Sequence, residues 1–394
     1  MKGPSREAPQ VILQRRGVDR WLRGHPWIYQ SDIQSAPGLE GGEVVKVLDQ
    51  RKWFLGQAFY SKQSKISLRW LTYDDVAVDA DFFRARIGQA RALREVIASG
   101  DQTYRAIHSE ADLLPGLIVD KYGDYLSAQF LVKGTEIRKE MLADLLIETF
   151  GAKGLMNRSD VSVRALEGLP LVKEVMRGEV PPVVEYREGA LRLQANLHSG
   201  QKTGTFLDQR ENHLLSATYA RGQALDCFAY VGGFALQLAT RAEKVIAVET
   251  SESAVAELKA NVELNQLSNV EVASANAFDF LRDAVDDGRQ FDTVVLDPPS
   301  FARNKAAIPA ALRGYKEINL RAMRLLGPGG FLLTNSCSHH VSEALFEEML
   351  ESAAADAKRR FQIIERRGAS RDHPVLLHLP ETRYLKCFIL RAAQ

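Results

Sequence analysis

At 394 residues the chain is too long for one ordinary core, so two or three domains are expected. Hydrophobic residues at 45% and charged residues at 26% are the balance of a soluble globular protein, and no apolar stretch approaches a membrane span. The start, MKGPSREAPQ, lacks the apolar core of an export signal. Cysteines at 227, 337 and 387 form neither a CxxC pair nor a disulfide framework, so a reducing cytoplasm is the expected setting.

The net charge of +1 argues neither for nor against nucleic acid, but its distribution says more. Residues 1–25 carry Lys2, Arg6, Arg15, Arg16, Arg20 and Arg23 against Glu7 and Asp19, a balance of +4. Residues 300–324 carry Arg303, Lys305, Arg313, Lys316, Arg321 and Arg324 against Glu317, a balance of +5. Such clusters suit phosphates, and either alone equally suits a solvated face.

In chain order, the basic segment RRGVDRWLRGHPWIY comes first. GEVVKVLD, WFLGQAFY and KISLRWLTY then read as short strands, making residues 11 to about 75 a β-rich unit. The period changes at 80–99, where Phe82, Phe83, Ile87, Ala90, Leu93 and Ile97 recur as on one helix face. A hairpin turning at Tyr122-Gly123, a helical stretch near 135–149 and a second hairpin turning at Glu188-Gly189 follow. Residues 76–190 therefore read as an α+β unit of helices and antiparallel strands.

From about 205 the rhythm is regular. ALDCF, KVIAVE, NVEVAS, DTVVLD and GFLLTNSC each lead into a helix, and FQIIERR and YLKCFILR close the sequence. Alternating apolar strands and helices imply α/β architecture with a parallel, doubly wound sheet over residues 191–394. No helix separates the last two strands, so the final one is expected to be antiparallel.

Ligands bind such sheets outside the carboxyl ends of the strands. The first strand runs into DCFAYVGGF, where Phe228, Tyr230, Gly232 and Gly233 form a turn that can approach a ligand. Glu249 ends the second strand, where an acid can accept from ribose hydroxyls. The third ends in ANAF, where Asn276 beside Ala277 can bond an adenine edge or cap the next helix. The pyrophosphate fingerprint GxGxxG is absent. A ribose and adenine without phosphate fits better, and S-adenosylmethionine is that ligand.

LDPPSF ends the fourth strand and places Asp297 at the rim, because Pro298 cannot donate to the ladder. The fifth ends at Cys337. Fourth and fifth strands are usual neighbours in this architecture, about 4.8 Å apart, so Asp297 and Cys337 are expected side by side. Cys337 could be a metal ligand with His339 or His340, a core residue, or a nucleophile. C-x-H-H matches no common zinc spacing, so no metal is expected. Cys227 and Cys387 lie within apolar strands and read as core. Cys337 sits in polar TNSCSHH, which favours the nucleophile. That chemistry suits cytosine: thiolate addition at carbon 6 makes carbon 5 nucleophilic, and a carboxyl group such as Asp297 can manage charge at N3 and the exocyclic amine. The same acid-Pro-Pro motif also serves methylation of base nitrogens, which needs no thiol.

The sequence as a whole resembles the bacterial PUA-containing, S-adenosylmethionine-dependent 23S rRNA cytosine-C5 methyltransferases of the large subunit methyltransferase I type. The resemblance rests on RGHPWIY, SEADLLPGLIVDKYG, NRSD, HSGQKTGTFLDQR, CFAYVGGFA, LDPPSFARNK, RGYKEIN, NSCS, DHPV and YLKCF. It implies an N-terminal PUA domain for RNA (1–75), a central α+β domain (76–190) and a Rossmann-like, seven-stranded methyltransferase domain (191–394). It assigns Cys337 as nucleophile and Asp297 as the motif acid, and it implies that KTGTFLDQR, with Lys202, Thr203 and Asp208, closes over the cofactor. Read locally, Asp208 and Glu211 also suit a helix cap with its reciprocal acid. Arg15, Arg16, Arg20, Arg23, Arg303, Lys305, Arg313 and Lys316 are the expected RNA contacts, with ribosomal RNA as partner; self-association into a homodimer stays open. Pro299 is followed by Ser300, where many RNA cytosine-C5 enzymes carry a second cysteine. A neighbouring family methylating guanine at N7, and an RNA-binding assembly factor with an inactive fold, are the alternatives.

Overall fold

The computed structural model describes residues 9–302 and 304–393. Arg303, and Lys2, Arg6 and Glu7 of the first charge cluster, lie outside the described residues. Two compact units divide the chain: residues 1–186, 195–207 and 371–382 form one, and residues 187–194, 208–370 and 383–394 the other.

In the first unit, residues Gln10–Thr72 form a six-stranded sheet with one helix, Arg15–Leu22. Its core gathers Val11, Trp21, Ile28, Val45, Val47 and Leu68, and the Trp21 indole donates to the Leu55 carbonyl at 2.9 Å. A five-stranded sheet follows between Thr103 and Gly178. Its core packs Phe83, Ile87 and Ala90 of helix Ala80–Ile97 with Leu142, Leu145 and Leu146 of helix Lys139–Phe150. The strands here are not all antiparallel: Tyr125–Phe130 and Gly154–Ser159 run parallel, because the helical connection between them carries the chain back to its starting side. The first hairpin turns through Gly123 and Asp124, one residue later than the sequence suggests, and Gly123 takes a left-handed φ of 57°. The second hairpin, whose turn belongs to the other unit, passes through Gly189 and Ala190.

The second unit holds a seven-stranded sheet: β1 (Gln223–Cys227), β2 (Lys244–Glu249), β3 (Val270–Ser274), β4 (Phe291–Leu296), β5 (Leu326–Ser336), β6 (Phe361–Arg367) and β7 (Lys386–Ala392). Their spatial order is β3-β2-β1-β4-β5-β7-β6. The first five are mutually parallel, and β7 is antiparallel to both β5 and β6, as expected of the final strand. Its insertion between β5 and β6 is not expected from the sequence order. The order reverses between β1 and β4, which opens a crevice at their carboxyl ends.

The helices are α1 (Arg210–Tyr219), α2 (Gly233–Ala239), α3 (Glu252–Leu264), α4 (Ala277–Asp286), α5 (Ile308–Leu325) and α6 (Glu343–Asp356). Ser251, Asn276 and Ser342 start α3, α4 and α6 by accepting backbone N–H bonds. Leu225, Val248, Val294 and Leu332 of the strands pack against Leu281, Ile318, Met323 and Phe346 of the helices. Between β6 and β7 the chain contributes residues 371–382 to the first unit. There Arg94 pairs with Asp112 at 2.5 and 2.8 Å and donates to the Asp372 carbonyl at 2.8 Å.

Candidate active site

β4 and β5 lie side by side with Leu296 opposite Thr334, so both strands deliver their next residues to one edge of the sheet. Pairing stops at Pro298, which has no N–H. The Asn335 amide donates to the Leu296 carbonyl at 3.1 Å, and the Cys337 sulfur lies 3.9 Å from the Pro298 carbonyl. Ser338 ties the two strand ends together: its hydroxyl sits 2.9 Å from the Tyr315 hydroxyl and 3.0 Å from that of Ser300, and accepts from the Ala302 N–H at 3.2 Å. Cys337 is partly exposed, whereas Cys227 and Cys387 are sealed at 0% and 1% exposure. Burial pushes the Cys387 thiol up to about 12 and the Cys227 thiol well above its ordinary value, which keeps both protonated.

The β1 turn uses left-handed backbone at Phe228 (φ 66°), Tyr230 (φ 48°) and Gly232 (φ 98°). Two non-glycine residues in that region mark a turn held by its surroundings. Glu249 provides part of that hold: its carboxylate accepts from the N–H of Tyr230 at 2.9 Å, Thr250 at 2.8 Å and Ser251 at 2.9 Å. A carboxylate has about four acceptor positions, so capacity remains for a ribose hydroxyl. Gly233 is required by contact, since a Cβ there would stand 2.3 Å from the His213 ring. Asn276 caps α4, accepting from Phe278 N–H at 2.9 Å, and Ala277 is buried as the first residue of that helix.

Behind the turn is an acidic cluster. Asp226 is fully buried, and neither carboxylate oxygen has a well-formed hydrogen bond among the described residues. Burial raises its pKa well above the ordinary value, the Asp297 charge adds to this, and His213 opposes it. Asp297 is oriented by Gln209, whose amide donates to it at 2.8 Å. Burial works against the His213 imidazolium, but Glu188 at 2.9 Å outweighs it and leaves the ring's pKa raised. A buried carboxylate raised by a neighbouring carboxylate is the kind of group that a cation completes. A sulfonium with an α-ammonium group fits that requirement.

The remaining sequence-derived residues are distributed as follows. Asp208 does not stand at the cap position of α1: the residue before the helix is Gln209, which makes no side-chain cap. Asp208 instead accepts from the Tyr384 hydroxyl at 2.6 Å, and its carbonyl from Ser370 N–H at 2.8 Å, because a short 3-10 turn at Leu207–Gln209 shifts the helix start. Lys202 and Thr203 belong to the other compact unit. There the Lys202 ammonium lies 4.2 Å over the Phe206 ring and the buried Thr203 hydroxyl donates to Asp120.

Arg15 and Arg23 are exposed at the ends of the helix Arg15–Leu22. Arg16 and Arg20 pair with the buried Asp32 at 2.5 and 3.2 Å, so these two also serve the fold. Arg16, Arg20 and Arg23 line a concavity of about 520 Å³ with Asp19, His25 and His378. In the second unit Lys305 and Arg313 are exposed, and Lys316 pairs with Asp356 at 2.7 Å. Among the described residues no helix is long and apolar enough to cross a membrane.

Sequence reasoning missed Gln209, the Asp226 carboxylate, Ser338 and Lys386 as parts of this site. Lys386 had a visible signal, a charge inside the apolar run YLKCFIL, since a buried charge demands a partner.

Two family profiles match the chain, "PUA-like domain" over residues 11–73 and "Conserved hypothetical protein 95" over residues 210–359. The ribosomal RNA large subunit methyltransferase I of Tolumonas auensis is 40% identical over 393 residues, covering 97% of this chain and 99% of its own. That of Aliivibrio fischeri is 41% identical over 390 residues, covering 96% and 98%. A candidate SAM-dependent methyltransferase from Streptococcus mutans shares the fold with a TM-score of 0.82 at 20% identity, covering 97% of this chain and all of that one. A candidate methyltransferase solved in complex with SAH gives 0.83 at 20% identity over the same shares.

Proposed function

The chain belongs to the ribosomal RNA large subunit methyltransferase I family, and on that premise we propose that it methylates carbon 5 of a cytosine in 23S rRNA through a covalent bond to Cys337. It is an S-adenosylmethionine-dependent rRNA methyltransferase with a PUA-like domain. The finer reading is supported above all by one observation. Of three cysteines, only Cys337 is partly exposed, and it directly follows β5, the neighbour of β4, which leads into Asp297.

Phe228, Tyr230, Gly232, Gly233, Glu249, Asn276, Ala277, Asp297 and Asp208 hold the cofactor in this reading, and a cofactor role for Lys202 and Thr203 rests on the sequence resemblance alone. The cofactor supplies an electrophilic methyl group on a sulfonium. Glu249 accepts from the ribose, and Asn276 keeps its N–H donors for adenine while its oxygen caps α4. Asp226 and Asp297 face the positive charge.

The Cys337 thiolate adds to carbon 6 of the base, and the ring electrons move toward N3, where Asp297 hydrogen-bonds the ring. Carbon 5 then has enamine character and takes the methyl group. Loss of the carbon 5 proton to a base and departure of the thiolate restore the aromatic ring.

Residues 1–75 and the pair Lys305 and Arg313 set RNA affinity, with Arg15 and Arg23 the phosphate contacts on the first helix. The division into 1–75, 76–190 and 191–394 belongs to this reading; each of the three large sheets falls within one of those spans. RNA containing 5-fluorocytosine blocks the proton-loss step and traps the protein. A covalent RNA adduct with the wild type, absent in Cys337→Ala, is expected. An adduct that persists in the variant, or none with either protein, overturns the covalent mechanism.

A further inference from the structure

We propose that Lys386 is a positioning residue that holds Cys337 as a thiolate, a buried ammonium fixed beside the sulfur by the neighbouring strand. The inference rests on the reading of Cys337 as nucleophile and adds the means of its activation. Lys386 opens β7, paired with Ser336 of β5, one residue before the cysteine. It is 4% exposed. Its Nζ donates to the Ser338 carbonyl at 2.7 Å and the Tyr384 carbonyl at 2.8 Å. The first of these acceptors is the residue directly after Cys337, so the ammonium is anchored to the backbone that carries the sulfur.

An ammonium has three donors. Two carbonyls satisfy two of them but do not neutralise the charge. A charge removed from water needs an opposite charge nearby. Burial lowers the Lys386 ammonium to about 8, and the two groups that pull it back are the Cys337 sulfur and then Glu343 at the start of α6. The attraction is mutual, so the same ammonium favours the thiolate.

Other groups near the strand ends play different parts. Tyr315 of α5 is raised first by burial, with Cys337 adding to it. Asp297 follows β4 and is an acid. His339 stacks on the Tyr384 ring at 5.1 Å.

In the reaction, a thiolate held this way adds to carbon 6 with no proton to remove from sulfur first. When the carbon–sulfur bond breaks, its electron pair returns to sulfur opposite the same ammonium. No external acid, base or oxidant is needed for either event at sulfur.

The test is the pH dependence of Cys337 alkylation by iodoacetamide in the full-length protein, with the modified peptide identified by mass spectrometry. For the wild type a midpoint below the ordinary thiol value of about 8.5 is expected. Lys386→Met should move the midpoint up by about one unit or more, and Lys386→Arg should restore most of the shift. A wild-type midpoint at or above 8.5 overturns the proposal without any variant. So does an unchanged profile in folded Lys386→Met.

Adduct formation with 5-fluorocytosine RNA separates this result from the reading beneath it. A low midpoint without an adduct leaves the ion pair in place and removes the nucleophile. An adduct with an ordinary midpoint does the reverse.

Discussion

Three cysteines of one chemistry behave in two ways because of where their strands end. Cys227 and Cys387 face the core and are kept neutral by burial. Cys337 stands beyond the last ladder pair, where its backbone is fixed and its sulfur is reachable. The polar residues around it, TNSCSHH, made that difference readable in advance, because a strand does not continue through such a run.

The buried acid of β1 was less readable. Asp226 looks like the ordinary end of a strand, and only packing reveals that its carboxylate lacks good donors. Its pKa is raised in the folded state, so between the unfolded and folded values the native chain holds a proton that the unfolded chain releases. Stability therefore falls as pH rises through that window. Asp226→Asn should remove this dependence. Without cofactor its melting temperature should exceed that of the wild type by about 3 °C or more at pH 8, with the difference shrinking toward pH 4, as read by calorimetry. With S-adenosylmethionine the order should invert, because the variant loses a charge opposite the sulfonium, and affinity should drop by about tenfold.

At the level of elements, the regular strand–helix alternation from residue 205 predicted a doubly wound sheet, since helices that cover both faces of a parallel sheet bury its apolar strands. The parallel pair in the first unit and the place of β7 were not predictable. Strand order is fixed by which edges meet, and a local pattern of apolar residues is the same for either neighbour.

The tie at Ser338 was equally hidden, because a serine gives no hint of three partners. Its hydroxyl joins α5, the Pro-Pro loop and the end of β5. Ser338→Ala leaves the buried Tyr315 hydroxyl with the Ser336 hydroxyl at 3.1 Å as its remaining contact of this set. A loss of about 1–3 kcal/mol is expected in denaturant unfolding. Methyl transfer should fall further than stability alone accounts for, because the cysteine and the acid are no longer held to one loop.

For the molecule as a whole, a net charge of +1 conceals two basic regions, and the structure divides their residues by task. Arg16 and Arg20 neutralise a carboxylate at 0% exposure, Asp32, while Arg15 and Arg23 face solvent. Arg15→Gln with Arg23→Gln should weaken rRNA-fragment binding and lower the slope of log K against log salt by roughly 0.7–0.9 per lost phosphate contact. Arg16→Gln with Arg20→Gln should instead lower the melting temperature of the protein before any RNA is added. Filter binding over a salt series and a thermal melt distinguish the two pairs. An identical response from both would mean that the division by task is wrong.

The interleaved path of the chain carries one more implication, for biosynthesis. The strand bearing Lys386 is translated after its six companions, yet it belongs between two of them. Until it arrives, β5 has an unpaired rim, the kind of surface that invites association with other nascent chains. On the proposed mechanism the Cys337 sulfur also lacks its cation in that interval, so maturation of the sheet and arming of the sulfur are one event.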